Sequence, residues 1–219
     1  MLGETQVRER GSRDRWLNAA YELLILGGIE AVKIMPLAKR LNLTRTGFYW
    51  FFDDLSALHD AMIDRWERQN TDTLVQHCQM QADTIIEALF NLMDCWLNPN
   101  LFDAKLDLAI RNWARTDGEL QDKVDTADLL RIRAVTEMFQ RFGYSPEQAE
   151  VRGMTVIYTQ IGYISMDVTE DRTERLNRVQ HYVELFAGSA ASQHEVDQFV
   201  RRNLQGDIQR TLSDERPWT

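Results

Sequence analysis

The 219-residue sequence predicts an all-α protein, in which a small three-helix head with a helix-turn-helix sits on a larger helical bundle. Three observations carry this. Apolar residues recur at helical spacing nearly throughout, and no convincing strand ladder interrupts them. The 4 prolines and 11 glycines fall mostly where such helices begin or end. Between two short amphipathic stretches stands the turn Asn42-Leu43-Thr44, followed by the aromatic run Phe48-Tyr49-Trp50-Phe51-Phe52.

The first helix is expected from about Arg13 to Leu26, with Trp16, Ala20, Leu23 and Leu24 on one face and Gly27-Gly28 as its stop. A short second helix follows from about Pro36 to Leu41, burying Leu37, Ala38 and Leu41. Pro36 is tolerated there because first-turn amides have no intrahelical acceptor. Asn42 enters left-handed backbone cheaply, which suits a sharp turn between two helices. Thr44 is a good N-cap for the third helix, and the small Ala38 lets that helix cross close by. Phe48 and Phe52, at i and i+4, then point into the core, which leaves Arg45, Thr46, Gly47, Tyr49 and Trp50 on or near the outer face. A pair of this kind lays its second helix into a DNA major groove, amino-terminal residues toward the base edges. In isolation such a pair is more often plain core, so the weight rests on the register of the whole head.

That register resembles the TetR family of bacterial transcriptional regulators. The likeness is carried by Ala19-Ala20-Tyr21-Glu22-Leu23-Leu24, by Gly27-Gly28-Ile29-Glu30-Ala31, by Leu37-Ala38-Lys39-Arg40-Leu41-Asn42-Leu43, and by Phe48-Tyr49-Trp50-Phe51-Phe52 followed by Leu58. More loosely, Ile110-Arg111-Asn112-Trp113-Ala114 and Arg178-Val179-Gln180-His181-Tyr182-Val183 are similar to elements of one carboxy-terminal domain type of the family. The implied organisation is a DNA-binding domain over residues 1–55 and a ligand-sensing and dimerisation domain over 56–188. Residues 189–219 depart from the usual ending and form a partly helical extension.

The resemblance implies that Lys33, Thr44, Tyr49 and the start of the fourth helix lie against phosphates, and that Arg45, Thr46, Gly47 and Trp50 lie nearest the bases. Lys33 can act as a point charge, Thr44 can donate its hydroxyl, and Tyr49 offers a ring with a hydroxyl tip. Arg45 can read guanine bidentately or grip the backbone, and both stay open. Three positions depart from the family pattern. Phe51 stands where a histidine is common, Leu55 where a lysine is common, and Gly47 lies one position later than the usual glycine. Two phosphate-contact groups are therefore missing, Asp53-Asp54 add negative charge, and the expected affinity is modest and strongly salt dependent.

Beyond Asp53 the pattern stays helical. Asp54 caps a helix carrying Leu58, Met62 and Trp66 toward Cys78, and Thr84 to Leu97 forms an apolar helix that ends at Asn98-Pro99-Asn100. Phe102 to Ala114 is closed by Thr116-Asp117-Gly118, and Glu119 to Phe142 by Gly143. Ser145-Pro146-Glu147-Gln148 is a capping box with proline at the first helical position. Its helix carries Met154, Ile157, Tyr158, Ile161 and Ile164, with Gly153 and Gly162 allowing another helix to approach closely. Asp171, with Glu174, opens a helix presenting Leu176, Val179, Val183 and Phe186 before Gly188. In the extension Val196, Phe199, Val200 and Leu204 fall at helical spacing, and Ser213 to Thr219 is expected to be loose.

A bundle of this kind can enclose a cavity, for which Trp96, Phe102, Trp113, Met138, Met154 and Tyr158 are candidate lining residues; plain core packing is the simpler role for each. Family precedent implies a small-molecule effector that shifts a homodimer away from its DNA-competent state, with repression as the usual mode. It also implies dimerisation through the last two apolar helices, at Ile157, Ile161, Ile164, Leu176, Val179, Val183 and Phe186, which could instead complete the monomer's own core. Two recognition helices held about 34 Å apart would read an inverted-repeat operator.

Composition sets limits on other functions. With 44% hydrophobic residues and a net charge of -9, the chain reads as soluble and globular. No apolar run reaches the roughly 20 residues of a membrane helix, and Met1 to Arg15 is too charged for a secretory signal. Cys78 and Cys95 lack C-x-x-C spacing, so neither a disulfide framework nor a metal site is expected, and a reducing cytoplasm is the expected location. No cofactor is implied. Enzymatic function has little support, since His59, His77, His181 and His194 are scattered and neither G-x-S-x-G nor a P-loop occurs. The competing reading is a helical ligand-sensing or protein-interaction module with a degenerate head, favoured by Leu55 and the acidic pair. Acidity itself argues against nucleic acid only until it is resolved along the chain. Residues 1–52 hold eight basic and five acidic residues, a charge of +3, and the remainder holds 17 basic and 29 acidic, a charge of -12.

Overall fold

A computed structural model describes residues 11–214, with side chains as far as Leu204. Residues 1–10, which include Arg8 and Arg10, and residues 215–219 of the tail expected to be loose lie outside the described residues. Among the described residues every regular element is helical, and the chain divides into two compact units.

The first unit runs to Arg68 and includes Lys105–Val124. Helix α1 (Arg13–Gly27) starts at Ser12, whose hydroxyl accepts from the Arg15 amide, and stops at Gly28 with φ 70°. A short 3-10 turn, Ile29–Ala31, leads to α2 (Ile34–Leu41), which begins two residues before the expected Pro36. Pro36 still falls in the first turn, where its missing amide costs nothing. Asn42 takes the left-handed conformation, φ 54° and ψ 39°, and turns the chain into α3 (Arg45–Phe48). That helix is a single turn, shorter than the expected run to Phe52. Helix α4 (Leu55–Trp66) follows, with Asp54 accepting from the Ala57 amide at 2.8 Å.

The core of this unit is aromatic. Phe48 is fully buried, meets Trp16 edge-on at 5.4 Å and stacks on Phe52 at 5.4 Å. Side chains of this size dominate small cores, and truncating one to alanine typically costs about 3–5 kcal/mol. The buried Tyr21 hydroxyl donates to the Met62 carbonyl at 2.8 Å and ties α1 to α4. A boundary expected after residue 55 therefore falls inside the unit. Helix α7 (Ala104–Ala114) closes it through Asp107, whose fully buried carboxylate accepts from the Trp66 indole at 2.8 Å and from Arg111 at 2.7 Å. Both oxygens are satisfied, which is what makes a buried carboxylate tolerable.

The second unit comprises Gln69–Ala104 and the chain from Asp125 onward. Between α4 and α5 (Thr73–Gln79) the backbone widens into a π-helical segment, Glu67–Asp72. Its buried Asn70 exchanges hydrogen bonds with the Asp103 backbone, both at 3.0 Å, and its buried Thr71 accepts from Arg131 at 3.1 Å. Helix α6 (Ile85–Leu97) has ten buried residues among its thirteen, the pattern of a helix at the centre of a bundle. Around it lie the later part of α8 (Gly118–Arg141), α9 (Pro146–Ser165), α10 (Arg172–Ala187) and α11 (Gln193–Asp214).

Two details bear on function. The extension completes the core, for Phe199 of α11 stacks on Phe90 at 4.5 Å, and Arg202 and Asn203 both reach Asp94, at 2.8 and 2.7 Å. The two glycines of α9 differ. A Cβ at Gly153 would lie 2.4 Å from the Thr136 hydroxyl and 3.1 Å from the Ile132 carbonyl, whereas a Cβ at Gly162, expected to share this role, would meet nothing within 4 Å. Cys78 and Cys95 are buried free thiols, and burial pushes Cys78 up to about 12 and Cys95 higher still, so both stay protonated. No described helix is long and apolar enough to cross a membrane.

Candidate functional site

The surface built by Lys33, α3 and the turn after it is polar and aromatic at once. Thr44 caps α3, its hydroxyl oxygen accepting from the Gly47 amide at 3.1 Å, which leaves the hydroxyl proton to donate outward. Arg45 donates to the Tyr49 hydroxyl at 3.2 Å and holds its guanidinium 5.8 Å from the centre of that ring, with no carboxylate in ion-pair reach among the described residues. Thr46 is exposed, and Tyr49 and Trp50 are 44% and 64% exposed. Gly47 is the correction. It is buried under the turn, because its amide is pulled inward by the cap, so it offers no outer surface.

Lys33 is exposed and 3.7 Å from Glu30. A surface pair of this kind is worth only about 0–1 kcal/mol, so the ammonium can exchange it for a phosphate. Arg40 is paired with Glu22 at 2.5 Å. Of the acidic pair, Asp54 is engaged as the cap of α4 and Asp53 is exposed, while Phe51 and Leu55 are half-buried and supply no cation.

In the second unit a cavity of about 360 Å³ opens between α6, α9 and α10. Trp96 and Tyr158 line it as expected. Phe102, Trp113, Met138 and Met154 do not. Phe102 is buried beneath the Arg131 guanidinium, Met138 is core, Met154 is half-buried on α9, and Trp113 belongs to the first unit, edge-on to His59 at 5.1 Å. Tyr163, Tyr182, Glu170 and Arg175 also line the cavity. The sequence reading missed them because the Asp167–Glu170 link carries no periodicity and Arg175 reads as a solvated helix position.

The apolar stripe of α9 and α10 also needs correcting. Ile157, Ile164, Leu176, Val179, Val183 and Phe186 are buried within this chain, and Ile161 is half-buried. In this chain the periodic stripe is the side of each helix that faces its own core. The outward apolar residues of the same helices are Val151, Tyr158, Tyr182 and Leu185, with Val151 63% and Leu185 70% exposed.

No protein-family model and no curated protein matches the sequence. Solved structures do. The chain is similar to a transcriptional regulator from Rhodococcus sp. Rha1, with a TM-score of 0.55 and 18% identity over 90% of this chain and 97% of that one. It is similar to the fatty acid degradation regulator FadR from Bacillus halodurans, with a TM-score of 0.60 and 16% identity over 83% and 97%. A TetR-family transcriptional regulator from Mesorhizobium loti gives a TM-score of 0.54 and 13% identity over 90% and 98%. The chain has the TetR-type fold. At these identities the likeness is one of backbone path, so the chemistry on the TetR-type scaffold is this chain's own. That chemistry is the Arg45–Tyr49 pair, the exposed Trp50, and the cavity around Trp96.

Proposed function

We propose that the chain is a cytoplasmic DNA-binding transcriptional regulator of the TetR family, a repressor that binds an inverted-repeat operator as a homodimer and is released by a small molecule. The observation that carries this is the head surface. A guanidinium with no carboxylate in ion-pair reach among the described residues, a capping threonine with a hydroxyl proton to give, and two exposed aromatics share one turn and the loop after it, within residues 1–52, whose net charge is +3 against -12 for the remainder. Thr44, Tyr49 and Lys33 suit phosphate oxygens, while Arg45, Thr46 and Trp50 suit base edges.

One such head makes few contacts. A second copy doubles them and sets the spacing of half-sites. Support for pairing is the outward stripe of α9 and α10, where exposed Val151, Tyr158, Tyr182 and Leu185 offer an apolar face for the same face of a second copy. The cavity beside that stripe suits an effector, which releases DNA only if it binds the incompetent state more tightly.

Selection of duplexes from a random-sequence pool at low salt tests the proposal. The native chain should enrich one sequence family, and Arg45→Ala and Tyr49→Ala should each enrich it more weakly, Arg45→Ala with preference relaxed at one base position. Equal recovery by native chain and both variants would instead support the interaction module with a degenerate head, which the pairing of Arg40 with Glu22 and the exposed Asp53 favour.

A further inference from the structure

Resting on the body's role as the sensing unit, we propose that the cavity between α6, α9 and α10 binds a small aromatic carboxylate, its ring held among aromatic side chains and its carboxylate at Arg175. The walls supply the ring site. Trp96, Tyr158, Tyr163, Tyr182 and Phe186 all line the cavity, and the Tyr182 and Phe186 rings stack at 6.1 Å. Aromatic walls reward an aromatic guest beyond area alone, through offset-stacked and edge-on contacts. The volume of about 360 Å³ is near the lower end of the roughly 300–1,000 Å³ typical of small-molecule sites. It fits a fused ring with a short side chain better than a long acyl chain.

The polar end supplies the charge preference. Glu170 is its one carboxylate, and both oxygens are taken, one by the Tyr163 hydroxyl at 2.7 Å and the other by Arg178 at 2.6 Å. Arg175 lies 4.9 Å over the Tyr163 ring and has no carboxylate in ion-pair reach among the described residues. Two guanidiniums face one carboxylate, so the cavity carries one uncompensated positive charge. A carboxylate compensates that charge and offers two acceptors to the Arg175 fork, which neither a neutral nor a cationic guest can do. Tyr158 and Tyr182 belong to both the cavity and the outward stripe, so an occupant touches the surface on which pairing depends.

Titration calorimetry on the full-length protein tests this with three probes: 2-naphthylacetate, its neutral analogue 2-naphthylethanol, and the aliphatic decanoate. Expected is one naphthylacetate per chain, bound at least about tenfold more tightly than either comparator, as a charge-assisted contact predicts. Arg175→Gln should weaken naphthylacetate by about tenfold and leave naphthylethanol within about twofold. Arg175→Lys, which keeps the charge and loses the fork, should fall between. Equal binding of naphthylethanol or decanoate, no binding of naphthylacetate, or an Arg175→Gln variant of native affinity would overturn the assignment. Operator retention assayed in parallel separates the two readings. Acid bound without operator release breaks the regulatory role and leaves the site intact, whereas release by another compound while naphthylacetate fails to bind breaks the site alone.

Discussion

Head and body both expose aromatic side chains, and what stands beside them differs. In the head, Tyr49 and Trp50 neighbour Arg45 and Thr44, so the aromatic surface is edged by a cation and a hydroxyl donor. In the body, Tyr158 and Tyr182 share their helix faces with Val151 and Leu185, and the surface is aliphatic. An exposed tyrosine alone says little about its partner. Its neighbours decide, with the first set matching a polyanion and the second an apolar surface such as a second copy.

The largest effect expected on either side is on the head's own framework. Phe48→Ala should cost about 3–5 kcal/mol of stability in urea unfolding, because the ring is fully buried against Trp16 and Phe52. A loss below about 1 kcal/mol would mean that the head core is not built around that ring. Next is the body's outward stripe. Leu185→Asp should weaken pairing by about 100-fold in sedimentation while leaving the melting temperature of the monomer unchanged, since the position is 70% exposed. Val183→Asp, two residues earlier and fully buried, should instead unfold the body. Arg45→Ala should cost about 1–3 kcal/mol in operator affinity and relax base preference at one position, while Lys33→Ala should weaken all sequences alike and lower the salt slope by about 1.

Smaller effects separate the two glycines of α9. Gly153→Ala should destabilise by about 1–3 kcal/mol, because the new methyl meets Thr136 and the Ile132 carbonyl. Gly162→Ala should stabilise by about 0.5–1 kcal/mol, because nothing lies where its methyl would go and helix formation improves. The smallest effect is one of pH. Burial pushes His59 below its ordinary value of 6.5, outweighing the raising effect of Asp60 and Asp117. The unfolded chain then binds the proton more readily than the folded one. This contribution to stability is full above about pH 6.5 and is lost as pH falls through the lowered folded-state value. Melts from pH 8 to 5 should show it, and His59→Gln should flatten it.

Much of the head was legible in the sequence because local chemistry specifies it. Asn42 in left-handed backbone, Thr44 as cap and Phe48 with Phe52 in the core each follow from residue type at one position. Helix boundaries in the body were legible for the same reason, notably the capping box at Ser145 and the cap at Asp171. What one chain's periodicity cannot tell is which of two apolar partners a stripe meets. Ile157, Val179 and Val183 looked like an interface and are core, while the outward Val151 stands alone between Glu150 and Arg152 and the outward Leu185 adjoins the buried Phe186, so neither stood out as a second stripe. The cavity was half legible. Trp96 and Tyr158 are large apolar residues, whereas Arg175 and Glu170 take their meaning only from Tyr163 and Arg178 folded beside them.

The central claim is that two heads of one dimer read one duplex. Hydroxyl-radical footprinting of the full-length protein on a duplex selected from the random pool tests it most directly. The prediction is two protected patches of inverted sequence on one face of the helix, centred about 34 Å apart, both lost together in Leu185→Asp. A single protected half-site, or a footprint unchanged in Leu185→Asp, would contradict it.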